Sequence, residues 1–422
     1  MKTLLANQDI FIIPSSKEDR YIVYFPLRGL IFLANSKAAE IIHNHITTGE
    51  TIPTEYPKLH AHFQKLNAME IVLPQERKIE VADKVVFILS QKCNLACSYC
   101  YAQESRSQDT LDKNKIKTIV DYVLSVFNDK IKSFSFIGGG EPTVTWDLFT
   151  WSVNYIRNAA GQQKIDIGLT TNATLLSEAR IMWLKQNEVR IGISFDILPA
   201  IQDRQRGFSN SSKSSFDTVD RVIKLLTSNG FYPRIRSTIT RQNVALMPDM
   251  VQFVIEYYPE LKRLHFEHVT DVEQNQTDFY DDFVSYFFKA KELGEANGIE
   301  VHNSIDNATN HIKSRFCGGE FCITPTGDLV SCHRVSSKTE KLFENFCYGL
   351  VNNKVQINKK HLAEAESIAN SKLSQCSTCF AKWHCAGGCT NNRLLFSPEQ
   401  LSVHCEFTKK MIIKGLENKL EK

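Results

Sequence analysis

A strand that runs straight into three cysteines constrains this chain more than any other feature. Residues 85–102 read Val-Val-Phe-Ile-Leu-Ser-Gln-Lys-Cys-Asn-Leu-Ala-Cys-Ser-Tyr-Cys-Tyr-Ala. The β-branched and aromatic run Val85–Leu89 predicts a buried strand. Cys93, Cys97 and Cys100 follow it with the spacing C-x3-C-x2-C. Three thiolates on one loop can hold three irons of a cubane cluster, and the fourth iron is left to a ligand that is not cysteine. A three-cysteine zinc site, or simply buried thiols, are the other readings of the same residues.

The chain has 422 residues, enough for two or three domains, and its 42% hydrophobic content can build a large core. Fifty basic and 47 acidic residues give a net charge of only +3, so charge does not argue for nucleic acid as a partner. The opening Met-Lys-Thr-Leu-Leu-Ala-Asn-Gln-Asp is interrupted by polar residues before a signal-like apolar core forms, and no apolar run is long enough to span a bilayer. A cytoplasmic protein with no membrane association is expected. The 12 cysteines fall in two blocks, 93–100 and 317–405. In a large cytosolic chain that clustering points to metal rather than disulfides.

Beyond residue 102 the pattern alternates. Helices are predicted over 113–127, 146–159, 177–187, 216–228 and 247–257, and strands over 133–137, 166–170, 190–195, 233–239 and 263–266. With the strand at 85–89 these make six βα units and a parallel sheet with helices outside. In such sheets ligands sit at the carboxyl ends of the strands. The second strand ends in Gly138-Gly139-Gly140-Glu141-Pro142, where missing Cβ atoms let backbone approach a ligand and Glu141 offers an acceptor for an ammonium. The third ends in Thr170-Thr171-Asn172 and the fourth contains Ser194-Phe195-Asp196.

The triad and the Gly-Gly-Glu-Pro turn together resemble the radical S-adenosylmethionine (SAM) enzymes. That resemblance implies a partial (β/α)6 barrel, with a [4Fe–4S] cluster whose open iron is chelated by SAM. It implies SAM contacts at Tyr99, Gly139, Gly140, Glu141, Pro142, Asn172, Ser194 and Arg206. Arg206 follows a stretch that in this subgroup reads SxDG…HDxxR. Here Ile197 stands for the glycine and Gln202 for the histidine.

The second cysteine block reads Cys317-x9-Gly327-x4-Cys332, then Cys376-x2-Cys379-x5-Cys385-x3-Cys389-x15-Cys405, with Cys322 and Cys347 in the same region. Ile323–Val330 predicts a hairpin. Zinc suits CxxC pairs, but the full spacing resembles the SPASM domain, which carries auxiliary [4Fe–4S] clusters. The resemblance implies one cluster on Cys317, Cys322, Cys332 and Cys389, and another on Cys376, Cys379, Cys385 and Cys405, for three clusters in all. Cys347 is left over as a buried thiol.

Ahead of the barrel, strands are predicted over Asp9–Pro14, Tyr21–Phe25, Leu30–Leu33 and Met69–Leu73. Helices are predicted after the Asn35 cap and over Pro57–Leu66. Three strands followed by helices resemble the recognition element of enzymes that modify ribosomally made peptides, a small winged α+β fold that captures a leader peptide by strand addition. The expected division is thus residues 1–80, leader-binding module; 81–305, barrel; and 306–422, cysteine-rich SPASM domain.

These resemblances imply an α/β radical SAM/SPASM oxidoreductase. It would cleave SAM reductively to a 5′-deoxyadenosyl radical and install a C–C, thioether or ether crosslink in a precursor peptide. An external reductant such as flavodoxin or ferredoxin is expected as a further partner. An anaerobic sulfatase maturase is the nearest alternative; that family carries Asp directly after the third hairpin cysteine, where this chain has His333 followed by Arg334. A histidine side chain can accept a proton near neutral pH, and His333 is the candidate proton acceptor. A non-catalytic electron carrier or peptide-binding scaffold is the alternative from a different class.

Overall fold

The structure is a computed structural model that describes residues 10–76, 78–79, 83–127, 130–270, 276–317 and 319–421. The opening Met1–Asp9 and the junction expected at residues 80–81 lie outside the described residues.

An antiparallel three-stranded sheet leads the chain. Its strands are β1 (Phe11–Pro14), β2 (Tyr21–Phe25) and β3 (Leu30–Ala34), in that spatial order. The Asn35 side chain caps helix Ser36–Thr47 by accepting from the Ala38 N–H at 2.9 Å. With helix Pro57–Ala68 it closes a small core of its own around Val23, Phe25, Ile42, Phe63 and Leu66. No strand forms over Met69–Leu73. Val72 and Leu73 are exposed, and only the Val72 N–H reaches back, to the Leu27 carbonyl at 2.9 Å. An apolar run without a pairing partner does not make a strand.

The large sheet has eleven strands. Among the described residues, the seven strands of residues 84–302 run parallel: β4 (Lys84–Phe87), β5 (Ser133–Phe136), β6 (Asp166–Thr171), β7 (Val189–Ser194), β8 (Arg234–Ile239), β9 (Arg263–His268) and β10 (Glu300–His302). The expected six βα units thus become seven parallel strands. The extra one, β10, has three residues and carries too little periodicity to signal itself. Helices return between the strands as the 3.6-residue pattern demands. In helix Ser215–Ser228, for example, Val219, Val222, Ile223 and Leu226 are buried on one face.

On the other side of β4 the sheet continues into the second cysteine block. Strand β11 (Phe321–Ile323) pairs parallel with β4, and β12 (Asp328–Val330), β13 (Cys347–Val351) and β14 (Val355–Ile357) add on antiparallel. The expected hairpin therefore extends the barrel sheet. The C-terminal helix Pro398–Glu421 packs back on the barrel helix Thr277–Ala296 and touches β3. Its Glu417 accepts hydrogen bonds from the Ser15 hydroxyl at 2.7 Å and the Ser16 hydroxyl at 2.8 Å. Buried Tyr24 on β2 hydrogen-bonds His384, the residue before Cys385.

Candidate functional site: a cavity between two cysteine arrays

The triad loop is held by its own backbone. Ala96 N–H donates to the Gly207 carbonyl at 2.8 Å and Ser98 N–H to the Gln205 carbonyl at 3.0 Å, so the loop lies against the segment after helix Pro199–Gln205. Arg106 donates to the Leu95 carbonyl at 2.8 Å and lies 3.5 Å from the Cys100 sulfur, a cationic donor where thiolate charge would build up. Burial pushes the Cys97 thiol up to about 11, and nearby Cys93 and Cys100 add to the shift while Arg206 opposes it. One buried and two half-buried thiols that line one cavity fit a cluster that binds as thiolates, with proton release on loading. Among the described residues no group of three or more His, Cys, Asp or Glu side chains is gathered closely enough for a single metal ion. The fit therefore rests on which thiols face one another and on the Arg106 donor.

The glycine turn after β5 is built for backbone contact. Gly139 has φ +61°, and a Cβ there would meet the Ile88 side chain at 2.6 Å. A Cβ on Gly140 would sit 1.9 Å from the Lys92 carbonyl oxygen. Glu141 lines the cavity, but its carboxylate is largely spoken for. Its Oε1 accepts from the Thr143 N–H at 3.0 Å, the Thr143 hydroxyl at 2.6 Å and the Thr171 hydroxyl at 2.6 Å; its Oε2 accepts from the Asn172 N–H at 2.7 Å. Glu141 thus braces the ends of β5 and β6, with room on Oε2 alone for an ammonium. Pro142 starts a short 3-10 turn, Pro142–Thr145, and is buried outside the cavity lining, so it shapes the turn without facing a ligand.

Asp196, fully buried after β7, organises the opposite wall. It accepts from the Tyr99 hydroxyl at 2.6 Å, Gln205 Nε2 at 2.8 Å and the Thr238 N–H at 2.9 Å, and ion-pairs Arg206 at 3.1 Å. Arg206 also stacks over the Tyr99 ring, 5.2 Å from its centroid. Its charge is therefore committed within the protein, although both residues line the cavity with Asn172 and Ser194. Ile197 adopts φ +64°, the backbone that the family's glycine would supply freely. A β-branched residue there costs roughly 1–3 kcal/mol. Gln202 takes over a bracing role, accepting from the Asp196 N–H at 2.8 Å and donating to the Ser215 hydroxyl at 3.2 Å.

The triad cysteines, the glycine turn with Glu141, and Tyr99, Asn172, Ser194 and Arg206 open into one cavity of about 400 Å³, within the range of small-molecule sites, while Asp196 and Gln202 brace it from behind. Its far wall belongs to the second array: His333, Arg334, Cys385, Gly388, Cys389 and Asn392 line it. There, burial pushes the Cys332 and Cys322 thiols well up; Cys389 and Cys317 add to the shift at Cys332, and Cys332 to that at Cys322. Burial pushes Cys385 up to about 12, reinforced by Cys405, Cys376 and Cys379. Cys332 thus has Cys317, Cys322 and Cys389 in its neighbourhood and Cys385 has Cys376, Cys379 and Cys405, although among the described residues neither set is gathered closely enough to hold a metal ion. Cys347 stands apart, its sulfur 3.7 Å from the Gly349 carbonyl.

His333 Nδ1 lies 2.6 Å from Glu320 Oε2, and the His333 N–H donates to the same oxygen at 2.9 Å. Burial raises Glu320, but the His333 imidazole, its hydrogen bonds and Lys84 outweigh this and hold the carboxyl at about 2. Arg334 is engaged by Asn392 at 2.9 Å and Thr270 at 2.7 Å. Sequence reasoning missed Arg236. It pairs in register with Ser194, lines the cavity, and makes no side-chain hydrogen bond or close ion pair among the described residues. It is the cation here that can meet an incoming carboxylate. The period-2 alternation of the predicted strand 233–239, which puts Arg236 and Thr238 on one face, was the available signal.

Comparison with known proteins agrees with this geometry. Residues 87–248 match the Radical SAM superfamily. The Radical SAM cyclopropyl synthase TigE of Paramaledivibacter caminithermalis is 25% identical over 347 residues, 74% of this chain and 69% of that protein. The Cysteine-type anaerobic sulfatase-maturating enzyme of Clostridium novyi is 22% identical over 364 residues, 78% of this chain and 93% of that one. Streptococcus suis SuiB, solved bound to its precursor peptide SuiA, shares the fold with a TM-score of 0.54 at 16% identity, covering 92% of this chain and 96% of that chain. Residues 87–248 of this chain are accordingly a radical SAM domain, the hallmark of an enzyme superfamily that acts by cleaving SAM.

Proposed function

We propose that this chain is a radical SAM peptide maturase that closes an oxidative crosslink in a ribosomally made precursor peptide. When bound, the cluster at Cys93, Cys97 and Cys100 supplies one electron to SAM, giving methionine and a 5′-deoxyadenosyl radical that takes a hydrogen atom from the substrate. The observation that carries the reading is the shared cavity: the triad and the glycine turn face Cys385 and Cys389 across one space. A crosslink formed by oxidation costs the substrate two hydrogens, one as an atom, the other as a proton and an electron. The cysteines of the second array would hold two auxiliary [4Fe–4S] clusters, which would supply an acceptor for that electron. The names of the relatives, a cyclopropyl synthase and a sulfatase-maturating enzyme, and the peptide bound to SuiB support a peptide substrate. His333 in place of Asp after Cys332 weighs against the sulfatase-maturating reading. The decisive experiment is anaerobic reconstitution with SAM and dithionite, with coexpression of any short reading frame that genome sequencing finds beside the gene. A peptide lighter by two hydrogens supports the proposal. An aldehyde in a sulfatase peptide supports the alternative, and absence of 5′-deoxyadenosine refutes both.

His333 is the proton acceptor in this scheme. Glu320 fixes its Nδ1 and leaves Nε2 for the substrate proton. His333→Ala is expected to keep its iron and to release 5′-deoxyadenosine, but to lose about ten- to hundred-fold of crosslinked product. Product at the wild-type rate, measured by mass spectrometry, would assign the proton to water or another residue.

The leading module, residues 1–80, binds the leader. Strands β1 and β3 are the outer strands of its sheet, each with one edge not paired within it, which suits strand addition. Excising the module is expected to weaken binding of full-length precursor more than tenfold. Iron is counted in the same preparation, because excision also strips Tyr24 from His384 beside Cys385. Unchanged precursor affinity in a calorimetric titration would reduce the module to a packing cap.

A further inference from the structure

One charged group in the cavity has no part in holding the fold's metal loops or the SAM turn. Glu267 lies on β9, in register with Thr238, and both line the cavity. Its Oε2 is crowded: His265 Nε2 donates at 2.7 Å, the Ser304 hydroxyl at 2.5 Å and the Ser304 N–H at 3.3 Å. Its Oε1 accepts no hydrogen bond among the described residues. The nearest candidate, His268 Nδ1, stands 3.6 Å away, beyond hydrogen-bonding reach. Burial raises this carboxyl, yet His265, His268 and Arg236 outweigh burial and keep it ionised. A carboxylate held that firmly is a poor proton acceptor and a strong fixed anion. The cavity that Glu267 lines also carries apolar side chains, Val269, Ile305, Ala308 and Phe316. One oxygen is clamped by two neighbours while the other is left unsatisfied, which is the arrangement of a preoriented acceptor.

We propose that Glu267 is a substrate-contacting residue, whose Oε1 accepts an N–H or O–H of the peptide residue presented for hydrogen abstraction. His265 and Ser304 are positioning residues that fix its rotamer. The inference rests on the reading of the chain as a peptide maturase and specifies what its substrate must offer: a hydrogen-bond donor near the reacting carbon.

The test compares Glu267→Gln, which keeps a neutral acceptor, with Glu267→Leu, which keeps none, in the holoenzyme with the coexpressed precursor. Crosslinked product per 5′-deoxyadenosine is expected to fall at least tenfold in Glu267→Leu and less in Glu267→Gln. The peptide KM is expected to rise at least tenfold more than the SAM KM. Replacing the donor-bearing residue of the peptide with an isosteric residue lacking the donor should reproduce the loss in wild type and add nothing in the Leu variant. Should Glu267→Leu fail to fold, by melting temperature and iron content, Glu267→Gln decides, and less than a threefold fall overturns the proposal. An unchanged product ratio in Glu267→Leu makes Glu267 an inert wall. A rise confined to the SAM KM assigns it to SAM; either result overturns the peptide contact. Wild type that forms 5′-deoxyadenosine but leaves the precursor unmodified overturns the maturase reading and this one together, whereas wild-type product with unaffected variants overturns this one alone.

Discussion

Replacing Cys93, Cys97 and Cys100 together with alanine is expected to remove about four of about twelve irons per chain and to abolish SAM cleavage. The triad thiols line one cavity and sit on one loop, while the eight thiols proposed to hold the other two clusters lie elsewhere, around Cys332 and around Cys385. The variant should therefore lose one cluster and keep two. Because burial pushes the Cys97 thiol up to about 11, that thiol is protonated in the free loop at neutral pH, and alanine in its place removes no buried charge. Folding should survive, so the melting temperature of the apoprotein separates loss of iron from loss of structure. Iron and sulfide analysis, read beside 5′-deoxyadenosine by chromatography, checks both halves. Zinc in the second array, or iron content unaffected by the triple replacement, would overturn the three-cluster assignment.

Gly140→Ala is expected to lower SAM cleavage by about 100-fold, as a misplacement of about 1 Å in a reaction site can do. The new Cβ would lie 1.9 Å from the Lys92 oxygen and 2.5 Å from its carbonyl carbon, and backbone cannot step aside as a side-chain tip can. The two segments are zipped together there: Gly140 N–H donates to the Ser90 carbonyl at 2.8 Å, and Glu141 N–H to the Lys92 carbonyl at 2.8 Å. Lys92 precedes Cys93, so whatever moves it also moves the triad. The iron of the triad should load poorly, while that of the second array is unaffected. Gly168→Ala on β6 is the control. Its Cβ would meet only the Ser135 hydroxyl at 3.6 Å, an ordinary contact, and activity should stay near wild type. Full activity in Gly140→Ala would mean that the two backbones separate without cost.

The parts of this protein that were legible in its sequence are those written locally. Strand ends, the triad and the glycine turn announce themselves by period and spacing, and the ends of β4 to β9 fell within a few residues of expectation. Local pattern could not say that β11 pairs with β4, because that contact joins residues more than two hundred positions apart. Nor could it assign Glu141, whose four donors come from both its own turn and the end of β6. Ile197 and Gln202 read as departures from a family pattern. In the structure one keeps the left-handed backbone at a cost in strain and the other braces Asp196. Arg236 escaped notice because one arginine among fifty basic residues carries no label until its strand partner, Ser194, is known.

The continuity of the sheet across β4 and β11 has a mechanical consequence. The strand that feeds the triad loop and the strand that carries Cys322 are bonded side by side, Val86 opposite Cys322. Sliding one cysteine array past the other would break a row of main-chain hydrogen bonds together, so this seam cannot serve as a hinge. The separation between the strand that feeds the triad and Cys322 is then a built-in constant of the backbone, the spacing of neighbouring strands. If the chain acts as the peptide maturase proposed above, admission of a peptide has to be arranged by loops and side chains at the cavity mouth and not by movement at this seam.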